Sequence, residues 1–114
     1  MADLTDGGDL AGVSRLSVER LVDASGVVSF KVIGQLDVST EAVLRAALEA
    51  AVREASTIML DVSELDFMDS SGLAVLLVAA REVDAIELRD PSDIIRRVIT
   101  IAGLTETLRM TPDA

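Results

Sequence analysis

Apolar and polar positions alternate on either side of a turn in the first third of the chain. Leu16, Val18 and Val22 fall on one face with Ser17 and Glu19 opposite. Asp23 to Gly26 supplies turn residues, and Val28, Phe30 and Val32 then alternate against Ser29 and Lys31. The pattern predicts a β-hairpin. The period then lengthens to 3.6: Val43, Leu44, Ala47, Leu48, Ala51 and Val52 mark one side of a helix, with Ser39 or Thr40 at its cap and Glu41 suited to its dipole. Residues 57–63 (TIMLDVS) show no polar alternation before Asp61, as in a strand buried on both faces or deep in a mixed sheet.

A βα connection follows that strand, and Leu73 to Glu82 reads as a second, mostly apolar helix. Residues 84–90 alternate again, Ile86 and Leu88 inward, Glu87 and Arg89 outward. The segment 91–104 opens with Pro-Ser, carries an acid in its first turn and places Gly103 after its last apolar position, the start and stop signals of a third helix. The last ten residues have no clear pattern. Residues 1–14, with three Asp, three Gly and little to bury, read as a mobile tail. The order β-β-α-β-α-β-α holds two consecutive βαβ steps and requires parallel strands with helices packed on them, a mixed α/β domain.

Composition narrows the chemistry. Phe30 and Phe67 are the only aromatic residues, so the core is aliphatic and no platform for stacking bases exists. Twenty acidic residues against ten basic ones leave a formal net charge of −10, which argues against direct contact with nucleic acid or an anionic membrane and favours a partner with a basic face. With no Cys and no His, thiolate and imidazole sites are excluded. No apolar run approaches the ~20 residues that span a bilayer, and the acidic N-terminus lacks the features of a signal peptide; a cytoplasmic location is expected.

The densest chemistry lies beyond the 57–63 strand, where functional groups of open α/β sheets gather. Asp61, Asp66, Asp69, Ser70 and Ser71 lie in or beside that zone, and Asp37 precedes the first helix in the same way. Enzymatic readings lack their parts. The only lysine is Lys31 in the hairpin, where a receiver domain would need one after a late strand; no Gly-rich phosphate loop is present, and no base stands ready to activate Ser70 or Ser71. The expectation is a protein with no catalytic residue, no cofactor and no metal. Asp and Ser are ordinary helix caps, each contributing ~1 kcal/mol. Spacing alone favours that plain reading of Asp69-Ser70-Ser71-Gly72 over a chemical site, and makes Phe67 and Met68 core residues.

Four segments in order carry a resemblance: the hairpin, GQLDVST (34–40), IMLDVSELDFMDSSGLAVLL (58–77) and DPSDIIRRVITIAGL (90–104). Through them the sequence resembles the STAS family, the sulfate transporter and anti-sigma factor antagonist domains, and within it the single-domain antagonists. The second segment is the specific one, matching Asp-x-Ser-x-Leu-x-x-Met-Asp-Ser-Ser/Thr-Gly-Leu; in the first, Gln35 stands where the family usually has Glu. The segment between the second helix and the next strand is shorter than in most members, so the helix must be trimmed or the loop tight.

The resemblance implies a mixed four- to five-stranded sheet with helices mainly on one side, formed by residues 15–114. It further implies binding to an anti-sigma factor with serine kinase activity, which releases the sigma factor. That kinase would phosphorylate Ser70 and end the interaction, until a phosphoserine phosphatase resets it. Asp37, Asp69, Ser70, Ser71 and Gly72 would form the partner-binding surface, with Ser71 as the plain cap. STAS modules also serve as accessory subunits of transport or signalling assemblies, the alternative role.

Overall fold

A computed structural model describes residues 15–21 and 26–111; the expected N-terminal tail, Val22 and most of the first turn lie outside the described residues. The elements are β1 (Leu16–Arg20), β2 (Val27–Leu36), α1 (Glu41–Ala51), β3 (Thr57–Met68), α2 (Ser70–Ala80), β4 (Ala85–Arg89), α3 (Asp93–Ile101) and β5 (Leu108–Thr111). They form one five-stranded sheet in the order β1-β2-β3-β4-β5. β1 pairs antiparallel with β2, and every later pair is parallel, as the βαβ steps require. β3 is central, which explains its unbroken apolar start: Ile58, Met59 and Leu60 are all buried. The final strand, for which the sequence holds no clear signal, adds to the β4 edge.

Cross-strand register separates the two faces. Val28, Phe30 and Val32 on β2, Ile58, Leu60 and Val62 on β3, Ile86 and Leu88 on β4, and Leu108 on β5 share the buried face. Against this sheet α1 and α2 pack on each other and on the strands, and α3 packs on β3 through the fully buried Ile95 and Ile99. The other face carries a row of alternating sign, Glu19 opposite Lys31, Lys31 opposite Asp61, and Asp61 opposite Arg89. Opposite charges directly across strands are favourable neighbours. Glu64 binds Lys31 Nζ at 2.7 Å, and its hydrogen bond and charge push the Lys31 pKa up. Burial opposes ionisation of Asp61, yet hydrogen bonds from Ser63 and the charges of Lys31 and Arg89 hold its pKa below the usual value.

Several sequence expectations change here. β3 does not stop near residue 63; it runs to Met68, leaving Asp69 alone between strand and helix. The continuation was hidden because its register against β2 shifts twice, between Lys31 and Ile33 and again between Gly34 and Gln35. Each shift inserts an extra β3 residue, a bulge that converts two-residue alternation into burial at Val62, Leu65 and Met68. Phe67 is thereby turned outward, 43% exposed, while Met68 is buried as expected. On α1, Val43 is also exposed, because Leu44, Leu48 and Ala51 alone define the buried stripe. The short segment after α2 resolves by both routes: the helix ends at Ala80, and the Asp84 and Ala85 amides both donate to the Ser56 carbonyl in a tight turn.

Candidate functional site

The carboxyl ends of β2 and β3 lie side by side, with Leu36 in register with Met68. The next residue of each strand is an aspartate, so Asp37 and Asp69 enter their helices from neighbouring positions. The Asp69 amide donates to the Leu36 carbonyl at 3.2 Å, tying the two exits together. Strand spacing of ~4.8 Å thus brings the Asp37 turn beside the start of α2.

Asp69 caps α2. Its backbone is extended, and its Oδ1 accepts from the amides of Ser71 at 2.9 Å and Gly72 at 3.3 Å. These are two of the amides that a helix start leaves without intrahelical partners. The cap is therefore Asp69 and not Ser71, whose side chain is only half-buried. Ser70 occupies the first helical position and is exposed. Among the described residues its hydroxyl takes no hydrogen bond. It faces the positive end of an eleven-residue helix.

Gly72 has a steric reason on the inner side. It is buried, and a Cβ there would stand 2.6 Å from Leu36 Cγ and 3.0 Å from Met68 Cγ. The helix can pack onto the paired ends of β2 and β3 only because this residue has no side chain. Gly34, the first residue of GQLDVST, has φ +113°, and a Cβ on it would collide with the Arg15 carbonyl. The Gln35 amide donates to that same carbonyl at 2.6 Å, so β1 approaches the β2 bend closely.

Asp37 is held by its own turn. Its Oδ1 accepts from the Ser39 hydroxyl at 2.7 Å and the Ser39 amide at 2.9 Å. The Ser39 hydroxyl bond is foremost in lowering the Asp37 pKa, aided by Thr40 and opposed by partial desolvation. Thr40 stands at the α1 cap position, but its side chain makes no cap bond. The buried hydroxyl instead donates to the Gln35 carbonyl at 2.8 Å and accepts from the Asp37 amide at 3.0 Å, latching the turn to the strand end. In the sequence pattern Thr40 reads only as a cap. Its place three residues after Asp37 was the available signal for a closed turn.

The structure therefore gathers Asp37, Asp69, Ser70, Ser71 and Gly72 at one edge, Ser70 outward and Gly72 inward. Asp66 is exposed near the carboxyl end of β3, and Val38 (75% exposed) and Phe67 add apolar surface nearby in sequence. Asp61 stands apart, within the charged row of the sheet. Among the described residues no group of three or more acidic side chains is placed to hold a metal ion.

Comparison with known proteins decides the family. A family model described as "Mlab, STAS domain" matches residues 17–112. The chain belongs to the STAS domain family. An anti-sigma F factor antagonist from Lysinibacillus sphaericus is 34% identical over 83 residues, spanning 68% of this chain and 71% of that relative. The STAS domain superposes on the unphosphorylated form of the anti-sigma factor antagonist SpoIIAA with a TM-score of 0.72 at 26% identity, covering 82% of this chain and 87% of SpoIIAA. Against the phosphorylated form of the Bacillus cell fate determinant SpoIIAA the TM-score is 0.66, at 26% identity, over 82% and 90% of the two chains. An anti-sigma factor antagonist from Mycobacterium paratuberculosis gives 0.75 at 26% identity, over 85% and 87%.

Proposed function

We propose that this STAS domain is an anti-sigma factor antagonist, a binding protein rather than an enzyme, whose unphosphorylated form engages an anti-sigma factor and so releases a sigma factor. Its similarity to named antagonists supports the reading. The observation that carries the switch is the exposed Ser70 at the first position of α2, with its hydroxyl unused and Asp37 and Asp69 beside it. The anti-sigma factor carries serine kinase activity and phosphorylates Ser70; a phosphoserine phosphatase restores binding. The protein acts in the cytoplasm.

The physics suits such a switch. A phosphate adds roughly −1.5 to −2 charges, which the amino end of a helix accommodates without unfolding. The same charge joins the carboxylates of Asp37, Asp66 and Asp69. A partner packed over this edge would have to desolvate the acidic cluster, at a cost of several kcal/mol, enough to abolish a micromolar complex. The phosphate then acts by local charge and not by refolding.

The test is binding of three forms to the cognate anti-sigma factor with and without ATP. The parent should bind until ATP is added and gain one phosphate, mapped to Ser70. Ser70→Ala should bind irrespective of ATP, and Ser70→Asp should fail to bind. Equal binding by Ser70→Asp and the parent would sink the charge switch and leave a STAS accessory subunit of another assembly.

A further inference from the structure

α2 is apolar on every side, with no charge from Ser70 to Ala80. Helices of that kind are ordinarily enclosed, yet Val78 is 61% exposed. It stands on the wall of a groove of about 180 Å³ between α1 and α2. Each helix contributes a set spaced i, i+3, i+4, i+7, the spacing of a single helical face. From α1 and its C-terminal cap come Arg45, Leu48, Glu49 and Val52, and from α2 and the turn that follows it come Val75, Val78, Ala79 and Glu82. Leu48, Val75 and Ala79 make a floor that packs the two helices together, and Val52 and Val78 form the walls.

The groove's charges select among occupants. Three glutamates and one arginine line it, and Arg53 stands at its outer mouth. Arg45 is bound by Glu41, four residues earlier on α1. Glu49 and Glu82, both exposed, line the groove beside Val78, so that with Arg53 counted the rim keeps an excess of acid. The whole chain carries −10, so an approaching cation is drawn toward this surface and an approaching anion repelled.

We propose that the α1–α2 groove is a second docking site, taking an amphipathic helix of a partner protein whose apolar stripe is flanked by Lys or Arg. Apolar side chains of that helix cover Val78 and enter between Val52 and Val75, and its flanking cations meet Glu49 and Glu82. This is helix-in-groove recognition, in which anchors at i, i+3, i+4 and i+7 supply affinity and rim charges supply selectivity. The site is a lateral surface of the helix pair and needs no phosphate, so it holds whether or not Ser70 is a switch.

The experiment titrates ¹⁵N-labelled protein with two synthetic helical peptides of two heptads each. Both carry Leu at i, i+3, i+4 and i+7; one is flanked by Lys and the other by Glu. The Lys peptide should shift the amide signals of Leu48, Val52, Val75 and Val78 and bind about tenfold more tightly than the Glu peptide. Val78→Glu should weaken it by at least as much, and Ser70→Asp should leave its affinity unchanged. Glu49→Lys with Glu82→Lys should reverse the preference toward the Glu peptide, a gain that a misfolded variant could not produce. Equal affinity for the two peptides, or shifts confined to other surfaces, would overturn the proposal. A change of Lys-peptide affinity in Ser70→Asp, in either direction, would move the site to the β2–β3 edge and overturn it equally.

Discussion

Asp37 and Asp69 show how one residue type acquires two roles from its surroundings. Both leave parallel strands and precede helices, but Asp69 gives its carboxylate to the α2 amides, whereas Asp37 closes a turn on Ser39. Hydrogen bonds donated to the Asp37 carboxylate lower its pKa in the folded state. A lowered value means that the ionised form stabilises the fold above the ordinary Asp range, near 3.8, and that this contribution is lost as pH falls through the lower folded value. Carboxyl-resolved NMR titration should find Asp37 titrating below the ordinary Asp value of 3.8. Asp37→Asn keeps an oxygen acceptor for Ser39 and should lessen the acid-induced loss of stability. An Asp37 midpoint at or above the ordinary value would contradict the turn geometry. The reason for Gly72, by contrast, lies wholly in packing against Leu36 and Met68, which no local pattern discloses.

At the scale of the element, β3 is the instructive case. Twelve residues form one strand, but two bulges break its alternation, so Leu65 and Met68 turn inward and Phe67 outward. Read as a simple period of two, the stretch looks like a loop; read against β2, it is a strand bent toward the start of α2. Bulges beside functional sites commonly re-aim side chains in this way. The consequence is measurable by urea denaturation. Met68→Ala should cost about 2–5 kcal/mol, as for a fully enclosed methionine. Phe67→Ser should cost less than about 1 kcal/mol despite removing the larger group, because its ring is half in solvent. The reverse order would mean that the second bulge is misplaced. α2 begins directly after this bend, and Asp69, the single residue between strand and helix, caps it through the Ser71 and Gly72 amides.

For the molecule as a whole, the sheet closes only with β5. Leu108 is fully buried and pairs in register with Ile86, whose side chain it shields from the free edge. Leu108→Ala should lower stability by about 2–5 kcal/mol and raise amide exchange along β4 as well as β5, since the edge protects its neighbour. Exchange confined to residues 108–111 would show β5 to be an independent flap. The same assembly sets the electrostatics: a row of alternating charge crosses one face of the sheet, while unbalanced acids collect at the Ser70 edge and along the α1–α2 groove.

By itself the sequence determined every element with a simple period: the hairpin from two-residue alternation, α1 and α3 from 3.6-residue spacing and their flanking signals, and β4 from its short alternating run. It also determined that a parallel mixed sheet was required, because two βαβ steps in succession admit little else. The motif around Ser70 was legible as a helix start, and its likeness to one family singled out the serine. Only the tertiary structure decided the length of β3, the presence of β5, the cap at Asp69 and the exposure of Val43, Val78 and Phe67. Each of these depends on a neighbour distant in the chain: the β2 register, the β4 edge, the paired strand exits and the opposing helix. Periodicity records which side of an element is apolar. Contact with another element decides which apolar side is covered, and that is a property of the assembled fold.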